Sequence, residues 1–162
     1  MAAPARPLLD VSAEQVRELG ARDHATPAQI AAREQAIAAE QKLLADADPR
    51  HPPSGAFAGV PQGYWLSLHE NHQVEVAKAL SMPMLLLQGG GDFQVSPTLD
   101  FARWQQELTG RPHTTFHLYP GLSHLFMPAG KTGTLADYKA PAHVDARVID
   151  DIAAWVQAQP SR

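Results

Sequence analysis

At 162 residues, with 44% apolar and 19% charged side chains, the chain has the size and composition of one folded domain, which excludes a disordered or fibrous polypeptide. The net charge of −4 without a basic patch argues against a nucleic-acid partner, and the absence of cysteine excludes a disulfide, a thiolate nucleophile or a cysteine-held metal. No stretch approaches the ~20 apolar residues of a membrane span. Met1 to Pro7 has no apolar run after Arg6, unlike a secretory signal. The expectation is a soluble chain with no membrane partner and the cytoplasm as its default compartment.

In chain order, Ala2 to Pro7 reads as an irregular lead-in. Ser12 with Gln15 fits a capping box and predicts a short helix to about Arg22. Thr26-Pro27-Ala28-Gln29 repeats that signal with proline at the first helical position, and opens a helix expected to reach Ala47. Its apolar stripe is narrow: Ile30, Ile37 and Leu44 padded by alanines. That suits a helix lying across a surface, with a short coiled-coil seam as the rival. Asp48 to Gly59 is a Pro- and Gly-containing loop. Pro61 starts a short helix with Tyr64, Trp65 and Leu68, and His72 to Leu80 forms another, ended by Met82-Pro83.

Met84 to Leu87 lacks polar alternation and predicts a strand covered on both faces. Gly89-Gly90-Gly91-Asp92 follows it. Ser96-Pro97 starts a helix whose Phe101, Trp104 and Leu108 share one face. Thr114 to Tyr119 is a second strand, with Phe116 and Leu118 on one side and Thr115, His117 and Tyr119 on the other. It runs into Pro120-Gly121-Leu122-Ser123-His124. This is a βαβ pattern, expected as a right-handed parallel crossover. Met127 to Pro141 is a long loop, and a final amphipathic helix, with Val144, Val148, Ile152 and Trp155 as its apolar residues, frays by Pro160. Two strands among five or six helices are too few, because a two-stranded parallel sheet leaves both edges open. Part of a larger sheet is expected to be missing.

Asp92 and His124 each lie just beyond the C-terminal end of a strand, the edge where open α/β sheets bind ligands. An aspartate there can orient a histidine that takes a proton from a nucleophile. Each residue alone is as well explained by an ordinary turn; the pair on successive strand ends is not. Other constellations are weaker. Gly89-Gly90-Gly91 is not a phosphate loop, since Gln94 stands where a third glycine is needed. His113 and His117 on a strand lie about 13 Å apart. His69 and His72 lack a third ligand, so no metal is expected. Ser123, beside His124, lacks the turn that presents a nucleophile.

The segments GGGDFQV, YPGLSHLF and HVDARVIDDIAAW together resemble the C-terminal part of an α/β-hydrolase, of the dienelactone-hydrolase-like and acyl-esterase-like serine hydrolases. The resemblance implies a partial α/β-hydrolase fold of parallel strands with an incomplete sheet. Residues 1–81 would be a helical cap, and 82–162 the C-terminal part of the core. It implies Asp92 and His124 as two members of a catalytic triad, no cofactor, and a small ester or acyl substrate met by Tyr64, Trp65, Val95 and Leu125. Gly91 stands where relatives often carry arginine. None of Ser12, Ser54, Ser67, Ser81, Ser96, Ser123 and Ser161 has the G-x-S-x-G context of the family's nucleophile. The expectation is therefore a truncated product, a mis-called start or one piece of a split protein, inactive alone. Its partner would be the missing N-terminal half or a second copy. The alternative is a non-catalytic binding or assembly module that docks on a partner.

Overall fold

Residues 3–159 are described in the computed structural model and cluster into two units: Arg6–Val76, and residues 3–5 together with 77–159. In the first unit, α1 (Leu8–Arg22) starts four residues before Ser12, behind Pro7, and the expected capping box at Ser12 is wrong. Ser12 already lies inside the helix and its hydroxyl donates back to Leu8 O at 2.9 Å. The earlier start brings Leu9 into a core with Ile37, Leu44 and Leu66, which outweighs the missing side-chain cap. α2 (Pro27–Ala45) begins where its sequence signal puts it. Gln29 N donates to Thr26 Oγ1 at 3.3 Å, and Thr26 N donates to Gln29 Oε1 at 2.8 Å. Of the narrow stripe, Ile37 and Leu44 are buried and Ile30 half-buried, and α2 packs on α1 within the same chain.

The Asp48–Gly59 segment is not all loop. Ala56–Phe57 (β1) pairs antiparallel with Val60–Pro61 (β2) around Ala58 and Gly59, whose φ values are 50° and 78°. Two positive φ angles match the twist of a tight hairpin, but Ala-Gly lacks the asparagine or aspartate that marks such a turn in sequence. Trp65, on α3 (Gln62–His69), closes this unit: its Nε1 donates to Phe57 O at 3.0 Å and its ring meets the Phe57 ring edge-on at 5.8 Å. The short α4 (Gln73–Ala79) carries the chain into the second unit.

There β3 (Met84–Gly89) pairs in parallel with β4 (Thr114–Tyr119), in register from Met84↔Thr114 to Gly89↔Tyr119. Ser96 caps the crossover, which opens with one wide π turn (Pro97–Phe101) before α5 (Ala102–Glu107). Phe101, Trp104 and Leu108 are buried, as their spacing predicts. β3 is not covered on both faces: Met84 to Leu87 are only half-buried, and a 140 Å³ cavity lies among Ala3, Leu85, Leu87, Phe101 and Trp104. The sheet of two strands supplies too few neighbours to seal an all-apolar strand. Residues 3–5 are tied down rather than irregular, because Ala5 N donates to the fully buried Asp100 at 3.0 Å and Trp104 Nε1 donates to Ala3 O at 2.9 Å.

The long loop after β4 contains a 3₁₀ turn (Leu135–Lys139), and Asp145 caps α6 (Ala146–Gln157). Val148 is buried with Tyr119, but Val144 and Ile152, expected on the packed face, are exposed. The Tyr119 hydroxyl donates to Asp151 Oδ2 at 2.8 Å, and this bond with Val148 fixes the face that α6 turns inward. Ile149, Ile152 and Val156 are left outside, at 55%, 40% and 58% exposure. Pro160 lies outside the described residues.

Two outcomes follow from the caps. Thr26→Ala removes an acceptor for an otherwise unpaired N–H and is expected to cost about 1 kcal/mol, read as a lower urea midpoint at unchanged slope. The Arg147 side chain, then its main-chain N–H, hold the Asp145 carboxyl down at about 2 against an ordinary 3.8. A depressed acid stabilises the fold in full above its ordinary value and ceases to do so as pH falls through its folded value. Amide protection factors in the first turn of α6, taken against the intrinsic exchange rate at each pH, should therefore fall between about pH 4 and pH 2, and Asp145→Asn should remove most of that dependence.

Candidate functional site

Two loop ends meet because of backbone, not side chains. Beyond the last pair of the ladder, Gly90 N donates to Tyr119 O at 2.8 Å, and Gly91 N donates to Leu122 O at 2.8 Å. These bonds bring the β3 exit against the β4 exit. Gly89 permits it: a Cβ there would sit 2.3 Å from Ser123 O and 2.5 Å from Leu122 O. Gly91 is equally closed to a side chain, since its Cβ would fall 2.6 Å from that of Ala129.

The β4 loop is wound tightly over a small core. Ser123 N donates to Met127 O at 2.8 Å, Phe126 N to Ser123 O at 3.0 Å, and Asp145 N to Phe126 O at 2.8 Å. Phe126 has a φ of 56°, a conformation that costs a bulky residue of order 1–3 kcal/mol. Its ring is buried against Tyr119, Leu122 and Val148, and this burial offsets the strain. The loop so held carries His124.

The structure brings Asp92 and His124 together. His124 Nδ1 lies 2.9 Å from Asp92 Oδ2, with the carboxylate fully buried and the imidazole side chain 16% exposed. Asp92 Oδ1 accepts from Gln94 N at 2.8 Å and Val95 N at 2.9 Å; Oδ2 also accepts from Gln88 Nε2 at 3.0 Å. Both oxygens of this buried carboxylate are thus met by donors, as a buried polar group requires. Nδ1 faces an acceptor, so it carries the proton in the neutral ring, and Nε2 is left with a lone pair. Among the described residues Nε2 makes no hydrogen bond.

Around the pair, the Tyr138 ring packs on Phe93 at 5.4 Å, and Gln94 Nε2 donates to the Tyr138 hydroxyl at 3.0 Å. Burial raises the Tyr138 phenol above its ordinary value, opposed by the bond from Gln94. Val95 is buried and contributes main chain to the acid, whereas Leu125 beside the histidine is 38% exposed. Tyr64 and Trp65 belong to the other unit, where Tyr64 is 56% exposed and Trp65 is engaged with Phe57. Ser123 is buried, and its Oγ has no hydrogen bond of ordinary geometry although the Tyr138 hydroxyl lies near. Among the described residues no group of three or more His, Asp or Glu is placed to hold a metal, and no helix is long and apolar enough to cross a membrane. The sequence assigns no role to Gln88 or to Tyr138. The available signal for Gln88 was a lone amide ending an otherwise apolar strand; Tyr138 had none of comparable strength.

Compared with known proteins, the chain is 34% identical over 156 residues to esterase EstD of Thermotoga maritima. The match takes in 96% of this chain but 36% of that esterase, so the chain corresponds to a part of an esterase-like protein. No family model matches the chain. No solved structure matches it.

Gly89→Ala is expected to force the His124 loop off the β3 exit, because both colliding atoms are main-chain oxygens. The His124 resonances should move in a histidine NMR spectrum while those of Trp65, in the other unit, stay in place.

Proposed function

We propose that this chain is the C-terminal part of a serine hydrolase of the α/β-hydrolase type, acting on carboxylic esters or related acyl bonds. The observation that carries the reading is the 2.9 Å contact of a buried, donor-saturated Asp92 with His124 Nδ1 at adjacent strand ends. Its likeness over nearly its whole length to part of an esterase supports the same reading. In the complete enzyme His124 Nε2 accepts the hydroxyl proton of the nucleophile as that oxygen bonds the carbonyl carbon. It then returns the proton to the departing alcohol oxygen. Water reverses the sequence: His124 takes a proton from it, hydroxide oxygen joins the acyl carbon, and the nucleophile leaves reprotonated. Asp92 holds the Nδ1–H tautomer and balances the imidazolium charge. The nucleophile and the donors for the carbonyl oxygen come from outside this chain. Residues 1–81, which carry Tyr64 and Trp65, are the cap region of that enzyme, and Val95 and Leu125 stand next to the acid and the base on their own loops.

The half-covered β3 and the exposed Ile149, Ile152 and Val156 of α6 also favour a second reading, a docking module for a partner. Catalysis separates the two. The chain alone should hydrolyse an activated nitrophenyl ester no faster than buffer. A chimera in which it replaces the matching part of the Thermotoga esterase should turn that ester over. His124→Ala should then lower kcat by about 10³-fold or more, and Asp92→Asn by a comparable factor. A working chimera indifferent to both substitutions would sink the hydrolase reading in favour of the docking module.

A further inference from the structure

Gln88 is the last side chain of β3 before the glycines, and it is 1% exposed. Its Nε2 lies 3.0 Å from Asp92 Oδ2, 3.0 Å from Gly89 O and 3.2 Å from Val95 O. All three neighbours are acceptors, so only the NH₂ end of the amide fits there. Gly89 O lies at the entry of the loop that carries Asp92, and Val95 O at its exit. The two N–H groups are shared among these three acceptors, so one side chain links both ends of the loop with the carboxylate between them.

We infer that Gln88 is a positioning residue: its amide fixes the Asp92 oxygen that faces His124. The inference deepens the reading of Asp92 and His124 as acid and base. Gln94 N and Val95 N both bond Oδ1, and two donors on one oxygen leave the other free to swing about it. Gln88 supplies the fixed point on Oδ2, the atom on which the Nδ1–H bond of His124 depends. Removing the donor from this buried place leaves Asp92 Oδ2 with the imidazole alone and takes a donor from Val95 O, whereas Gly89 O keeps Asp92 N at 3.3 Å. The amide shares Oδ2 with the imidazole without competing for one lone pair, since a carboxylate oxygen accepts twice.

The test is nitrogen NMR of the full chain labelled at histidine and glutamine. In the unaltered protein His124 should be held as the Nδ1–H tautomer. The Gln88 side-chain amide should exchange with water roughly tenfold or more slowly than that of exposed Gln105. Gln88→Met keeps the volume and loses the donor. It should return His124 to the mixed tautomers of a free imidazole while the β3 and β4 amide signals keep their positions. Asp92→Asn serves as the reference for a lost carboxylate. A Gln88→Met protein that retains the unaltered His124 tautomer overturns the inference. Where that variant fails to fold, the unaltered chain still decides: a Gln88 amide exchanging as fast as Gln105 overturns it too. Failure of the catalytic reading looks different, since the tautomer would respond to Gln88 while His124→Ala left hydrolysis by the chimera unchanged.

Discussion

The structure of the site depends on two main-chain hydrogen bonds and the absence of one methyl group. Gly90 N to Tyr119 O and Gly91 N to Leu122 O extend the parallel ladder past its last residue pair and seat the β3 exit on the β4 exit. Only a residue without Cβ can occupy position 89, where main-chain oxygens of Leu122 and Ser123 would otherwise be struck. The side-chain chemistry is subordinate to this contact. Asp92 meets His124 because the backbones that carry them are already bonded, so the carboxylate–imidazole bond is made at little further entropic cost.

A second layer keeps that arrangement rigid. Phe126 accepts a strained φ so that its ring can enter the core with Tyr119, Leu122 and Val148. The strain is local to the histidine loop, and the burial that offsets it is shared with α6 and β4. Tyr119 joins the two layers. It lies within that core, its carbonyl receives Gly90 N, and its hydroxyl bonds Asp151 on α6. Burial first, and then the bond to Asp151, push its phenol well above the ordinary value. The aromatic ring of one strand residue thus couples the last helix to the loop ends.

What was legible in the sequence was what local chemistry decides. Thr26-Pro27 and Gln29 bind one another within a single turn, so the start of α2 could be read without its surroundings. The strand Thr114 to Tyr119 and the buried Phe101, Trp104 and Leu108 follow from short-range periodicity. Ser12 misled because the same residue type that caps a helix also bonds its own preceding turn, and only the burial of Leu9 decides between them. The hairpin at Ala56–Pro61 was hidden by an alanine at positive φ. The inward face of α6 was misjudged because a tyrosine–aspartate bond across the chain, invisible to hydrophobic spacing, settles its rotation. The pairing of Asp92 with His124 was legible as strand-end position. The donors that hold the acid were not, since they come from main chain and from an amide inside an apolar strand.

The same distinction explains why β3 looks over-designed for its present neighbours. Four successive apolar residues, Met84 to Leu87, suit a strand with sheet partners on both sides and layers on both faces. Here it has one partner strand and half-exposed side chains. Ala3 and Ala5, bonded to Trp104 and Asp100, cover part of it, and a cavity remains beside them. On α6, Ile149, Ile152 and Val156 stand outside for want of anything to pack on. The Asp92 carboxylate has donors on both oxygens, whereas the strand that leads to it is open. In a parallel sheet that asymmetry is natural, because a site at the strand ends is built by loops and helix starts, while the strands themselves acquire their cover only from the rest of the sheet.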